Sequence, residues 1–496
     1  VPLANEICSI EAELDGGGAE SAAWQDDATV FLGMYDHFGQ QWPNTRAKAV
    51  ALAFRQVNRY AGGLPPKNGE SKNRPVGLIT CDYGLDKDKG FAHLKELEIP
   101  AIIGPAHRFE LVELANAHTM ADGMLLIGTH TTLPPDKGIA ATAIKDSGLL
   151  WHTAPDQRLL APAMRALVKQ FEATVRVELG LSPIPPPEYL RLGVAAVSTD
   201  ATATAFVDGL TFNNGLSNAA SVAGSGSPPL TPVDGGTTSS STQEQFKMMK
   251  YEREPTSIHA TVRPLADFGP HIVTVSGHVE AVHVVEQIET SWDNAKYSSH
   301  RPLYLLTDQA RYHGGPSSNV SEAGRVRGVS FVSRTVNYPT FAGAYAREYG
   351  EHLSANDDSQ FAYDAAWLLI YAYYAAGDLP RVAGRDIAQG IRRLLPDGPT
   401  TPKANVGSGV GGGAVTQTFG VLAAGSNVDL VGASGELDFN PTTGEVSAES
   451  TIIEVYCVAN PSGPPTVPTF VSAGQTYNVT TNTFDGTFNG NGQCAD

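Results

Sequence analysis

At 496 residues the chain is too long for one ordinary hydrophobic core, and its 42% hydrophobic and 17% charged composition excludes a disordered or fibrous protein. Its 34 Lys and Arg against 52 Asp and Glu give a formal net charge of -18, which repels polyanions and excludes an electrostatic nucleic-acid or anionic-membrane surface. No stretch approaches the roughly 20 apolar residues of a membrane helix, and with no charged or apolar leader after Val1 the expectation is a soluble chain from which any targeting segment has been removed.

Residues 1–27 are polar and Gly-rich and read as an arm. A regular alternation follows. Ala28 to Met34 is a strand-like apolar run, and Asn44 to Tyr60 sets Val50, Ala53, Phe54 and Val57 on one helical face before a Gly62-Gly63 cap. Pro75 to Asp82 then reads as a strand, Lys87 to Leu97 as a helix, Ala101 to Gly104 as a strand, Arg108 to Ala121 as a helix and Leu125 to Gly128 as a strand. A βαβαβα series implies a parallel sheet with helices on both faces.

After Leu149-Leu150-Trp151 the cycle restarts, with a helix from about Leu159 to Val175, a strand Leu190 to Val197 and a helix Thr202 to Asn213. The Gly, Ser, Thr and Pro-rich stretch 214–242 reads as an inserted loop. Strand His271 to Ser276, helix Val279 to Glu289 and strand Pro302 to Thr307 complete a second unit. Beyond it come a strand, Val329 to Ser333, and helices Thr340 to Leu353, Phe361 to Ala376 and Ala383 to Leu395. A Gly-rich loop at 407–413, a last strand Ile452 to Cys457 and a loose tail end the chain.

Cys8, Cys81, Cys457 and Cys494 lie far apart and form no C-x-x-C pair, which argues against zinc or thioredoxin chemistry. Bridges Cys8–Cys81 and Cys457–Cys494 would anchor the arm and the tail. Four buried free thiols are the alternative. Gly407 to Gly412 fits G-x-G-x-x-G but reads as a loop, with no strand before it and no clear helix after it. The other hydrolase, zinc-protease and P-loop patterns are absent, and the 13 histidines are scattered, so no metal, cofactor or enzyme activity is expected.

Six segments together carry a resemblance. They are Ala53-Phe54-Arg55-Gln56-Val57-Asn58 with Gly62-Gly63, Ile102-Ile103-Gly104-Pro105, Trp151-His152-Thr153-Ala154-Pro155-Asp156, Leu305-Leu306-Thr307-Asp308, Tyr363-Asp364-Ala365-Ala366, and Gly432 to Phe439. In this order and spacing, from about Val30 to about Val458, the chain resembles the type I periplasmic binding proteins of the branched-chain amino acid (leucine/isoleucine/valine) class. The resemblance implies an α/β fold of two Rossmann-like lobes, doubly wound parallel sheets, joined by three hinge crossings near Ala154, Asp308 and Leu437. Lobe 1 would hold 28–154 and 309–436, and lobe 2 would hold 155–308 and 437–458, leaving 459–496 as a C-terminal tail. It further implies a monomeric, periplasmic or extracytoplasmic protein, free or lipid-anchored before trimming. Such a protein captures an amino acid or small carboxylate by lobe closure and delivers it to the permease of an ABC transporter.

The same resemblance points to the loops after the strands as the ligand site. On the first lobe these supply Trp42 as an aromatic wall, His107 and Arg108 at a helix start, and Thr129, His130 and Thr131. His107 and Arg108 stand where the family has small hydroxyl residues, so an anionic ligand is expected there. The plainer reading of Arg108 is an ion pair with Glu110 or Glu113, and of the threonines, turn formation. On the second lobe Thr202 occupies a position the family often fills with an aromatic residue, Glu280 could meet a ligand ammonium, and Asp308 stands at a crossing. Tyr363 and Asp364 read as packing or capping residues. A ligand-binding sensory module of a signalling receptor remains the alternative, and an α/β hydrolase or dehydrogenase the remote one.

Overall fold

The computed structural model describes residues 4–10, 28–37, 45–66, 70–105, 108–129, 148–178, 191–197, 201–208, 246–252, 255–277, 280–294, 301–311, 323–331, 337–353, 357–406, 413–447, 451–459, 469–489 and 494. The expected insertion at 214–242 lies outside them. The chain forms two compact units: unit 1 is Val1–Asp156 with Ser333–Thr451, and unit 2 is Gln157–Val332 with Ile452–Asp496.

Unit 1 begins with β1 (Cys8–Ile10), β2 (Val30–Asp36), α1 (Thr45–Ala61), β3 (Val76–Asp82), α2 (Lys87–Glu96), β4 (Ala101–Ile103), α3 (Arg108–Leu114), β5 (Leu125–Gly128) and β6 (Leu150–His152). Unit 2 follows with α4 (Leu160–Glu178), β7 (Leu192–Val197), α5 (Ala201–Asp208), β8 (Phe246–Tyr251), α6 (Pro255–Phe268), β9 (Ile272–Ser276), α7 (Glu280–Ser291), β10 (Leu303–Leu306), α8 (Asp308–Arg311) and β11 (Val326–Ser330). The chain then resumes unit 1 with α9 (Tyr338–Tyr349), α10 (Ser359–Ala375), α11 (Gly384–Arg392), β12 (Lys403–Asn405), α12 (Gly413–Ala423), β13 (Asp429–Val431), β14 (Phe439–Asn440) and β15 (Glu445–Val446). It closes unit 2 with β16 (Ile452–Val458), β17 (Phe470–Asn478) and β18 (Thr483–Gly486).

The unit 1 sheet runs β1-β3-β2-β4-β5-β6-β15-β14. Its strands from β3 to β15 are parallel, with an antiparallel strand added at each edge. Alternation within a strand sends neighbours to opposite faces, so Met34, Ile103 and Ile127 pack into one core while Tyr35, Ile102 and Leu126 pack into another. Burial on both faces is why these strands are apolar without interruption. Helix α10 is buried at every position from Ser359 to Ala372, as a helix apolar on all sides must be. Gly390 lets α11 meet it backbone to backbone, since a Cβ there would lie 2.0 Å from Ala372 O.

The unit 2 sheet runs β18-β17-β16-β11-β10-β9-β7-β8. The part from β8 to β11 is parallel, and β16, β17 and β18 continue it in antiparallel register. Each end of the chain is held covalently: Cys8 bonds Cys81, its partner across the β1–β3 ladder, and Cys457 of β16 bonds Cys494.

Several boundaries differ from those expected. The first division, at Asp156/Gln157, falls beside Ala154. The other two lie at Val332/Ser333 and Thr451/Ile452 rather than near Asp308 and Leu437. After Asp308 the chain makes α8 and returns as β11 alongside β10, which keeps it in unit 2. After Leu437 the β14–β15 hairpin pairs with β6 through Glu445 and His152, which keeps it in unit 1. The described part of the segment read as a loose tail is sheet, because β17 and β18 extend it. The Gly-rich run 407–412 lies outside the described residues, but β12 precedes it and α12 follows it, and β12 pairs in parallel with β13. Both flanks judged missing from the sequence are therefore present.

Candidate functional site

In a doubly wound sheet the carboxyl ends of the strands open onto helix N-termini, whose unpaired N–H groups and dipole favour polar ligands. Each unit has such a rim, and polar side chains are buried at both.

In unit 1, Asp36 ends β2 and is buried, although one residue earlier the strand is wholly core. Arg46, in the first turn of α1, donates from Nε to Asp36 Oδ2 at 3.0 Å, and its Nη1 lies 3.7 Å from Asp358 Oδ2, the N-cap residue of α10. Burial works against the Arg46 charge, but Asp36 and Asp358 outweigh it and hold the guanidinium more firmly protonated than usual. His37 Nε2 lies 2.6 Å from Glu110 Oε1. Burial nonetheless pushes the Glu110 carboxyl above its ordinary range. After β4, Gly104 adopts φ +90, and a Cβ there would meet Tyr35 O at 2.4 Å, so only glycine turns the chain this way toward α3. Thr129 follows β5 and is 2% exposed. Thr153 follows β6; its N–H bonds Gly128 O at 3.0 Å, and its hydroxyl donates to Phe361 O at 2.8 Å, linking the strand ends to the first turn of α10.

In unit 2, β9 and β10 end side by side. Gly277 N donates to Thr307 Oγ1 at 3.4 Å, and Tyr251 donates to Ser276 O at 3.0 Å. The Glu280 carboxylate lies against Gly277, where a Cβ would come within 3.2 Å of Glu280 Oε1 and 2.2 Å of the Tyr251 hydroxyl. Asp308 begins α8 immediately beyond Thr307 and is buried, as is Glu280. Tyr456 donates to Thr307 O at 2.7 Å. Arg311, fully buried, pairs with Glu454 at 2.7 Å.

Glu280 and Asp308 thus stand at adjoining strand ends of unit 2, and Thr129 at a strand end of unit 1. Arg108 and Thr202 fall in the first turns of α3 and α5. Trp42, His107, His130 and Thr131 lie outside the described residues. The two acids weighed as plain partners for Arg108 also meet other side chains. Glu110 meets His37, and Glu113 accepts from Lys87 and, at 2.9 Å, from Tyr83. Sequence reasoning passed over Arg46, Asp358, Ser359 and Gln360 in unit 1 and the Arg311–Glu454 pair in unit 2. The charged residue in the first turn of α1 was the one local signal. Among the described residues no group of three or more His, Cys, Asp or Glu side chains is placed to share a metal ion, and no helix is long and apolar enough to cross a membrane.

No protein-family model matches the chain, and no curated protein does. Solved structures do. An ABC transporter substrate-binding protein from Desulfitobacterium hafniense, in complex with Leu, is 14% identical, with a TM-score of 0.52 over 89% of this chain and 100% of its own. A periplasmic binding protein type 1 from Bordetella pertussis Tohama I is 16% identical, with a TM-score of 0.55 over 90% of this chain and 100% of its own. A solute-binding protein of an ABC transporter from R. palustris, in complex with 4-hydroxybenzoate, is 11% identical, with a TM-score of 0.55 over 91% of this chain and 97% of its own. The fold is therefore that of the type I periplasmic binding proteins, as the six sequence segments implied.

Proposed function

We propose that the chain, built on the type I periplasmic binding fold, is an extracytoplasmic solute-binding protein. It takes a small polar, carboxylate-bearing solute, an amino acid or related organic acid, for an ABC transporter permease, and it acts as a monomer without turnover. The observation that supports this reading is the likeness, over about nine-tenths of the chain, to solved proteins whose own descriptions are of solute binding.

The chemistry of the rims agrees with it. Backbone N–H groups at the start of α3 suit a carboxylate, and Arg108 and His107, which open that segment in sequence, bring a forked, charge-assisted donor and an imidazole to the reading. Thr129, His130 and Thr131 supply further hydrogen bonds, and Trp42 an aromatic wall. In unit 2, Glu280 suits an ammonium group, with Thr202 and Asp308 nearby in the order of the strand ends. A ligand favours whichever state of the protein it binds better, and capture requires no more than that.

A thermal-shift screen with amino acids, short carboxylates and aromatic acids, 4-hydroxybenzoate among them, tests the proposal. A solute present at 100 times its dissociation constant stabilises by about 2.7 kcal/mol. A flat response across all three classes contradicts the reading.

A further inference from the structure

The first turn of α10 carries polar atoms that the protein leaves unused. Ser359 and Gln360 are both 0% exposed; neither amide atom of Gln360 has a hydrogen-bond partner, and the Ser359 hydroxyl, which favours the Asp357 charge, has no other partner among the described residues. Buried polar groups are almost always paired, and each unpaired one costs about 1 to 3 kcal/mol. Side chains in the first turn of a helix lean back toward its N-terminus, so these three atoms crowd the start of α10. That start belongs to the unit 1 rim: Thr153, beyond β6, bonds Phe361 O, and Asp358 faces Arg46.

Charge at this place limits what can bind there. The positive end of the helix is already met by carboxylates. Asp357 accepts from Ser359 N at 2.7 Å, and Asp358 shares Arg46 with Asp36. Counting Glu110, four acids face Arg46 and His37, so a further anion is repelled. An amide that both donates and accepts, next to a hydroxyl, matches a neutral polar group.

We infer that the first turn of α10, through Ser359 and Gln360, is a subsite for an uncharged hydroxyl or carboxamide group of the captured solute. This rests on the solute-binding proposal and adds a selectivity that it does not contain: polar side chains are preferred to aliphatic ones of the same shape. A trapped water satisfies the same atoms, and the test separates the two.

Titration calorimetry with two near-isosteric pairs, threonine against valine and asparagine against leucine, is run on the wild type, on Gln360→Leu and on Ser359→Ala, with circular dichroism confirming that each variant is folded. The wild type is expected to favour the polar member of at least one pair by about ten- to a hundredfold. That ratio should fall toward one in Gln360→Leu or Ser359→Ala, with the apolar member bound as well as before or better. Equal wild-type affinity within both pairs overturns the subsite while leaving solute binding intact. So does a ratio that survives in both variants, which would assign these atoms to water alone. Binding of none of the four probes also overturns it, and the wider thermal-shift screen then judges the solute-binding proposal separately.

Discussion

The carboxylate of Asp364 is fastened to Ser434, accepting its backbone N–H at 2.8 Å and its hydroxyl at 2.6 Å, with the Ala433 N–H as a third donor at 2.7 Å. The contact ties the core helix α10 to the loop ahead of β14. Gly432 permits it, because a Cβ there would lie 2.3 Å from Asp364 Oδ2.

Burial raises the Asp364 pKa from 3.8 to about 6, even though Ser434 and Ala433 pull it down. Between those values the folded chain holds a proton that the unfolded chain has lost. The contribution of Asp364 to stability is therefore fullest below pH 3.8 and declines as pH rises to about 6. Asp364→Asn should abolish this slope and, at neutral pH, cost on the order of 1 to 3 kcal/mol by placing amide hydrogens against donors. Urea unfolding of both proteins at several pH values across this window is the check. Parallel profiles would refute the assignment.

The Cys457–Cys494 bridge closes a 37-residue separation around β17 and β18. Cys494→Ser is expected to destabilise unit 2 by about 2 to 5 kcal/mol. Peptide mapping without reductant should recover the Cys494 peptide joined to that of Cys457, and the Cys8 peptide joined to that of Cys81. Four freely alkylated thiols in protein never exposed to reductant would count against both bridges.

Arg311 and Glu454 form an ion pair removed from solvent, with the guanidinium 5.4 Å from the Tyr456 ring centroid. Arg311→Met alone leaves a buried carboxylate uncompensated and should cost about 3 to 5 kcal/mol. Adding Glu454→Met should return much of that loss. Denaturant titrations of the two single variants and the double variant give the coupling, and additive losses would mean that the pair is not energetically linked.

For the solute, Arg108→Ala is expected to weaken a carboxylate ligand by about ten- to a hundredfold, since a hydrogen bond to a charged group is worth about 1.5 to 3 kcal/mol. Glu280→Gln should weaken an amino acid but spare the matching acid without its amine. Calorimetry with such a pair distinguishes the roles, and an unchanged dissociation constant removes the residue concerned from the site.

The parallel cores were legible because strands buried on both faces are unbroken apolar runs, as in Leu192–Val197. Elements without that pattern escaped. Edge strand β8, Phe246–Tyr251, places two lysines in a half-exposed run, and α6 carries Pro264 inside the helix. Strands β17 and β18 are polar, Gly- and Thr-containing outer strands, and read as tail. At the rims, loop positions such as Thr129 and Glu280 followed from strand ends that could be predicted. The convergence of Arg46, Asp36 and Asp358 could not, because it joins residues more than 300 apart in sequence. The unpaired state of Gln360 is likewise set by what surrounds it, not by its own neighbours in the chain.

The most direct test of the central claim is titration calorimetry with the solute that gives the largest thermal shift, followed by chromatographic recovery of that solute from the complex. Saturable binding of one solute per chain, with the solute returned unaltered after prolonged incubation, is the predicted result. No binding heat for any stabilising solute, or its conversion to a product by the wild type, would contradict a solute-binding protein.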